Sequence, residues 1–537
     1  MAADDRLESL VQEWISEEME EFPVMASTLG MDGYDDRLGS FNEVDFKRRT
    51  TSAGKWIDRF QEMDRLTDPQ DEVDRDLVVA ILRGRLVMGD WEGFRRDPAE
   101  YLGPCLSGVF NLFLQRLLPE PELVRCAVAR LAEVPSAVGA ARRQLSAELM
   151  SDVMVQRGVG QCRAGARYFR DLLPAEVADQ GARSRLAEAG AEAAGALEEL
   201  ASHLESLQPR GGFAIGEQRY SALLTQREQL GYGADELGRR GAQAWAELDA
   251  AMTELAGRMG HGSWRDALEE LNRDHPATPE EMLEGYTRAT ARCRAFLVDT
   301  GLVTLPEGES CSVDPSPPFQ RPVLAVASYS APPAFKPSRS GHFFVPYPPE
   351  GTGAGELAQR MATNSYPAMP TISAHEAYPG HHWHLVWSQL HAPPVRRILR
   401  STYFVEGWAL FAEKVMAEAG FFSDPGEMLC HLEARIFRAA RIVVDTALHT
   451  GAMDFDAAVA HMTTHTGLTE ATARAEVARY CAWPTQAPSY LTGALELERI
   501  RDRFLSEGKG DARRFNDAIA ATGSLPLGLA ERAVMAA

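Results

Sequence analysis

Thr371 to His384 reads TISAHEAYPGHHWH, and four of the chain's thirteen histidines fall within it: His375, His381, His382 and His384, with Glu376 directly after the first. Imidazoles crowded in this way commonly hold a divalent metal. The nearest motif is His-Glu-x-x-His on a helix, where two histidines one turn apart hold zinc and the glutamate acts as general base on an activated water. Here position 379 is Pro where the second histidine should stand. At about 100° per residue, His375 and His381 point roughly 120° apart on a straight helix, so a shared ion requires the helix to break. Pro379 removes a backbone N–H and clashes with the carbonyl four residues back, and Gly380 tolerates dihedrals that other residues avoid. The Pro-Gly step then acts as a two-residue insertion that returns His381 to the metal. His382 is the rival second ligand; on a straight helix it shares a face with His375 but lies about 10 Å along the axis, a poor geometry for one ion. Glu376, adjacent to a ligand, would aim at the open metal position and move a proton from water to a leaving amine. The plain alternative is a pair of buried, hydrogen-bonded histidines beside a surface glutamate.

HEAYPGHH at 375–382, followed by FVEGWALFAE at 404–413, resembles the domain-of-unknown-function-885 family, zinc-peptidase-like proteins related in fold to thimet oligopeptidase and angiotensin-converting enzyme. FPVMASTLGMDGYDDRL, FRAARIVVDTALHTG, EVARYCAWPTQAPSYLTG and GSLPL extend the likeness over nearly the whole chain. The resemblance implies one zinc ion per chain, with Glu406 as third ligand beside His375 and His381 and Glu413 orienting a histidine. It also implies an oxyanion donor from the C-terminal part. Tyr490 comes first, because Pro484 and Pro488 set it on a turn; His449 comes second, with Tyr480 and Arg479 behind. Glutamine at 384 and histidine at 516 are further expectations that His384 and Asn516 do not meet. In related peptidases an edge strand pairs with the substrate, and Gly341-His-Phe-Phe-Val345 is the candidate here. Arg438 and Arg441, three apart in FRAARIV, would either bind a substrate carboxylate or pair with a helix acid.

The elements that must position these groups are mostly helical. Leu7, Leu10, Val11, Trp14 and Ile15 follow helical spacing, and residues 45–210 are rich in Ala, Leu, Glu and Arg, punctuated by Pro69, Pro98, Pro104, Pro119 and Pro135. Gln208-Pro-Arg-Gly-Gly212 reads as a linker, dividing an N-terminal helical region (1–210) from a catalytic region (211–537), both packed as one groove-forming unit. Residues 301–350 are proline-rich, with β-like runs at 322–327 and 342–345, and predict a small sheet beside the active-site helix. Trp383, Trp387, Tyr403 and Trp408 read as core. The fold class is mainly α, a large zinc-peptidase-like helical fold around a substrate groove.

A net charge of −22 without a Lys/Arg cluster argues against nucleic acid and anionic membrane as partners. Seven scattered cysteines without Cys-x-x-Cys, and no apolar run long enough to span a bilayer, predict a reduced, cytoplasmic setting. The expected activity is zinc-dependent hydrolysis of short peptides. The other readings are a metal-dependent amidase of a small metabolite and a helical scaffold that keeps a metal without catalysis.

Overall fold

The computed structural model describes residues 3–63, 66–318, 320–321 and 326–536, the side chains of 3–5 excepted. The chain is mainly helical with one three-stranded sheet. The first helix, Ala3–Glu21, buries Leu7, Val11, Trp14 and Ile15 as their spacing predicts. Pro69 opens the helix Pro69–Gly89 and Pro119 precedes Glu120–Gln144, but Pro104 and Pro135 sit inside helices. Buried flanks hold those two helices together across the missing N–H: Leu102 and Val109 around Pro104, Leu131 and Val138 around Pro135.

Two large cores result. One lies wholly between Leu38 and Leu204 and is built by the helices from Ala99 to Ser206. The other joins Trp14, Phe60 and Leu77 to Tyr286, Phe343, Trp383, Phe411, Leu497 and Val534, so the N-terminal helices close against the C-terminal half. The segment after the helix Gln180–Ser206 is extended and tied down, with the Arg210 and Gly211 amides bonded to the carbonyls of Ala147 and Met150. No helix among the described residues is long and apolar enough to cross a membrane.

The sheet has the order β1 (Ser310–Pro315), β3 (Ser340–Val345), β2 (Ser328–Ser330), with β1 parallel and β2 antiparallel to β3. This corrects the edge-strand expectation. Gly341–Val345 is the central strand, with a neighbour on each side, and cannot take a substrate strand. Its partner β1, SCSVDP, carries one aliphatic residue and ends in Pro, so β propensity does not reveal it. The run anticipated at 322–327 lies outside the described residues at 322–325, and β2 begins at Ser328.

The helices Thr402–Glu418 and Ser489–Ser506 pack backbone to backbone through Gly407 and Gly493. A Cβ placed on Gly493 would stand 2.0 Å from the Tyr403 carbonyl oxygen and 2.7 Å from the Gly407 Cα. Gly493→Ala must therefore push the pair apart. A loss of about 1–3 kcal/mol is expected from such overpacking, read as a lower urea midpoint; an unchanged midpoint would contradict the close approach.

Candidate metal centre

The helix Met369–Glu376 stops at Ala377, whose φ of −113° and ψ of −83° leave the helical region. A cis Tyr378–Pro379 bond follows, and a second helix, His381–His391, starts after Gly380. Gly380 folds back on the first helix so tightly that a Cβ would lie 1.8 Å from the His375 carbonyl oxygen. The break expected at Pro-Gly is thus present, and glycine is required there by space. The indole N–H of Trp408 donates to the Pro379 carbonyl at 2.9 Å, fastening the break to the helix Thr402–Glu418.

Across this break three ligand atoms converge. Nε2 of His381 lies 3.4 Å and Nε2 of His375 3.8 Å from Oε2 of Glu406, and the three groups offer atoms all within 4.8 Å of one another. Ligands at about 2.0–2.1 Å from a tetrahedral zinc stand roughly 3.3 Å apart, so the spacing fits a divalent ion with little movement. The two rings meet edge-on, 4.9 Å between centroids at 85°. His381 Nδ1 is buried without a hydrogen-bond partner.

Glu413, two turns beyond Glu406, accepts from His375 Nδ1 at 2.7 Å, which leaves Nε2 for the ion. Its other oxygen lies 3.4 Å from Nδ1 of His431, a residue that the sequence reading missed. His431 stands in CHLEARIFR, where only its place on a helix facing the acid betrays it. Burial opposes charge on all of these groups. Against it, Glu406 and Glu413 raise the His375 imidazole to about 9. Bonds from His375 and His431 and the charge of Arg438 hold Glu413 at about 2. Glu406 is lowered too, by His375 and His381 against burial.

Glu376 ends the first helix, partly exposed, and makes no hydrogen bond or ion pair among the described residues. Burial first, and then the charge of Glu376, push the Tyr286 phenol up. Tyr490 stands beside the ligands, its ring nearly parallel to that of His375 at 6.4 Å. It is not on a turn: it is the second residue of the helix Ser489–Ser506, because Pro488 serves as that helix's N-cap. Burial and the Glu406 charge raise its phenol, while Arg441 opposes them.

The other candidates lie outside the cluster. His382 uses both ring nitrogens, Nδ1 with the Tyr329 hydroxyl and Nε2 with Glu309, each at 2.9 Å, and so ties the second helix to the sheet. Glu309 also accepts from Tyr378 at 2.5 Å and from Arg294 at 3.0 Å. His384 is wholly buried against Phe404 and Trp408, and burial, then His381 and Arg400, push its pKa far down. His449 is not brought to the ligands. Its Nε2 faces the Tyr480 carbonyl at 2.9 Å, and its ring stacks on Tyr220. Tyr480 and Arg479 are both bonded to Glu476, and Asn516 donates to the Leu302 carbonyl. Trp383 stacks between Trp387 and Trp408 as core.

The family model described as "Bacterial protein of unknown function (DUF885)" matches residues 23–534. No curated protein matches the sequence significantly. Two solved structures share the fold. One is described as "a putative lipoprotein of unknown function from Shewanella oneidensis", with a TM-score of 0.79 and 19% identity over 98% of both chains. The other, "the putative lipoprotein from Colwellia psychrerythraea", has a TM-score of 0.86 and 18% identity over 100% of this chain and 99% of that one.

Two outcomes follow from the geometry. In equilibrium zinc titrations, His381→Ala and Glu406→Ala should each weaken binding by at least about a hundredfold, while His382→Ala keeps it within about tenfold; the reverse ranking would make His382 the ligand. Because metal must displace the proton that His375 holds up to about 9, apparent zinc affinity should rise about tenfold per pH unit from pH 7 toward that value. Calorimetry in buffers of different ionisation heat counts the released proton, and pH-independent binding would contradict this assignment.

Proposed function

We propose that this chain, which belongs to the DUF885 family, is a zinc-dependent hydrolase of short peptides, built on a zinc-peptidase-like helical fold around a substrate groove. One observation carries the reading: His375, His381 and Glu406 converge within 4.8 Å beside a glutamate that has no partner of its own. A merely structural zinc site closes its fourth position and needs no free carboxylate. Zinc held there would polarise the scissile carbonyl and make water acidic enough to attack near neutral pH.

The chain's own groups supply the rest. Glu413 fixes the His375 tautomer, so that Nε2 and not Nδ1 faces the ligand position. Glu376, rigid at a helix end and unpaired, takes the proton of the attacking water and delivers it to the departing amine nitrogen. Tyr490 stands over the ligand imidazole with its hydroxyl as the donor to the oxygen on which negative charge develops. Cations at its ring favour that role: the Arg441 Cζ lies 4.9 Å and the Arg438 Cζ 5.5 Å from the ring centroid. β1 and β2, rather than β3, have a strand neighbour on one side only, so an extended substrate would join the sheet there. The chemistry asks only for a compartment with zinc and peptides.

A panel of short unstructured peptides, incubated with zinc-loaded protein and read by mass spectrometry, tests this. Glu376→Gln should keep stoichiometric zinc and lose about 10²–10⁴ in kcat. Tyr490→Phe should lose about 10²–10³ in kcat with KM nearly unchanged. Turnover of a non-peptide amide with no peptide cleaved would move the assignment to an amidase. Full activity in Glu376→Gln would remove the general base.

A further inference from the structure

FRAARIV places Arg438 and Arg441 three apart on the helix Pro425–Thr450, and their fates differ. Arg441 is committed, with Nε on the Tyr480 hydroxyl at 3.1 Å and Nη2 on Glu476 at 2.8 Å. Arg438 is not. Its Nη1 donates to the Ala434 carbonyl of its own helix at 2.8 Å, its Nε is buried without an acceptor, and its Nη2 has no partner among the described residues. No carboxylate of the described residues comes within the 4.0 Å of an ion pair, although the chain carries a net charge of −22. Its Cζ stands 5.5 Å from the centroid of Tyr490, the same ring that lies 6.4 Å from the ligand His375. Contacts therefore run from metal ligand to phenol ring to a half-buried guanidinium with donors to spare.

A guanidinium left in that condition matches a carboxylate, which accepts two of its N–H groups side by side. We propose that Arg438 receives the free C-terminal carboxylate of a short peptide, so that the substrates are peptides cleaved close to that end. The two distances through the Tyr490 ring bound the reach: at roughly 3.3–3.6 Å per extended residue, about three residues at most separate the ligand position from the carboxylate. This inference rests on the peptide reading for the word substrate, but the carboxylate site itself stands on the geometry of Arg438. Arg400 is the competing cation: its Nε donates to the Arg397 carbonyl at 3.3 Å, and it too has no acid partner among the described residues.

Binding tests it without turnover. Zinc-loaded Glu376→Gln protein is titrated calorimetrically with N-acetyl-trialanine and with its C-terminal amide. The acid should bind at least tenfold tighter than the amide. Adding Arg438→Ala should bring the acid down to the level of the amide and leave the amide unchanged, and Arg438→Lys should recover part of the difference, with zinc content equal throughout. Equal binding of acid and amide, absence of binding at millimolar peptide, a preference that survives Arg438→Ala, or one lost only with Arg400→Ala would each overturn the assignment. So would loss of the preference only together with zinc, which would make Arg438 a support for Glu413. If the preference holds while zinc-loaded wild-type protein cleaves neither peptide nor any other, hydrolysis fails and the carboxylate site stands.

Discussion

The site depends on one backbone contact, the seating of Gly380 against the carbonyl of His375. With room for no side chain at 380, the chain reverses its helical phase in four residues, and an imidazole that would face away on a straight helix comes round to face its partner. The contact is held from outside as well. Trp408, which bonds the Pro379 carbonyl, lies two residues past Glu406 on the same helix, so one rigid element both sets the break and brings the third member of the cluster. That helix is itself located by the Gly407–Gly493 approach, whose other partner carries Tyr490. Three close-packed backbones thereby fix four groups of the centre.

Electrostatics and packing agree on where charge belongs. Glu406 and Glu413 are held ionised in a largely dry setting by the histidines between them, and His375 holds a proton it would shed in water. Two carboxylates facing two imidazoles leave a negative balance that a divalent cation would complete by displacing the proton of His375. The ring of buried histidines around the centre divides the labour. His375 and His381 face the ligand position, His382 anchors the sheet, His384 fills space as a neutral ring, and His431 backs Glu413.

Much of this was legible in the sequence, because the signals were local. The Pro-Gly break, the approach of His381 and not His382 to His375, the return of Glu406 and the place of Glu413 follow from helical phase, from the interval between the motifs and from the resemblance those motifs carry. What was not legible depends on tertiary partners. Glu309 is the residue that occupies His382, and it sits in the proline-rich stretch 301–350 with no periodic pattern of its own. The polar strand β1 makes β3 central, and its composition hides it. Tyr490 opens a helix because Pro488 caps it, where two prolines suggested a turn. His449 shares its motif with the site but is claimed by Tyr480 and Tyr220 in a separate part of the core.

X-ray absorption at the zinc edge of protein loaded with one equivalent of metal tests the central claim most directly. The account predicts two imidazole nitrogens together with carboxylate and solvent oxygens, all at about 2.0–2.2 Å, a pattern that loses one imidazole in His381→Ala and none in His382→Ala. Failure to take up an equivalent of zinc, or a shell with fewer than two imidazoles in the unaltered protein, would contradict it.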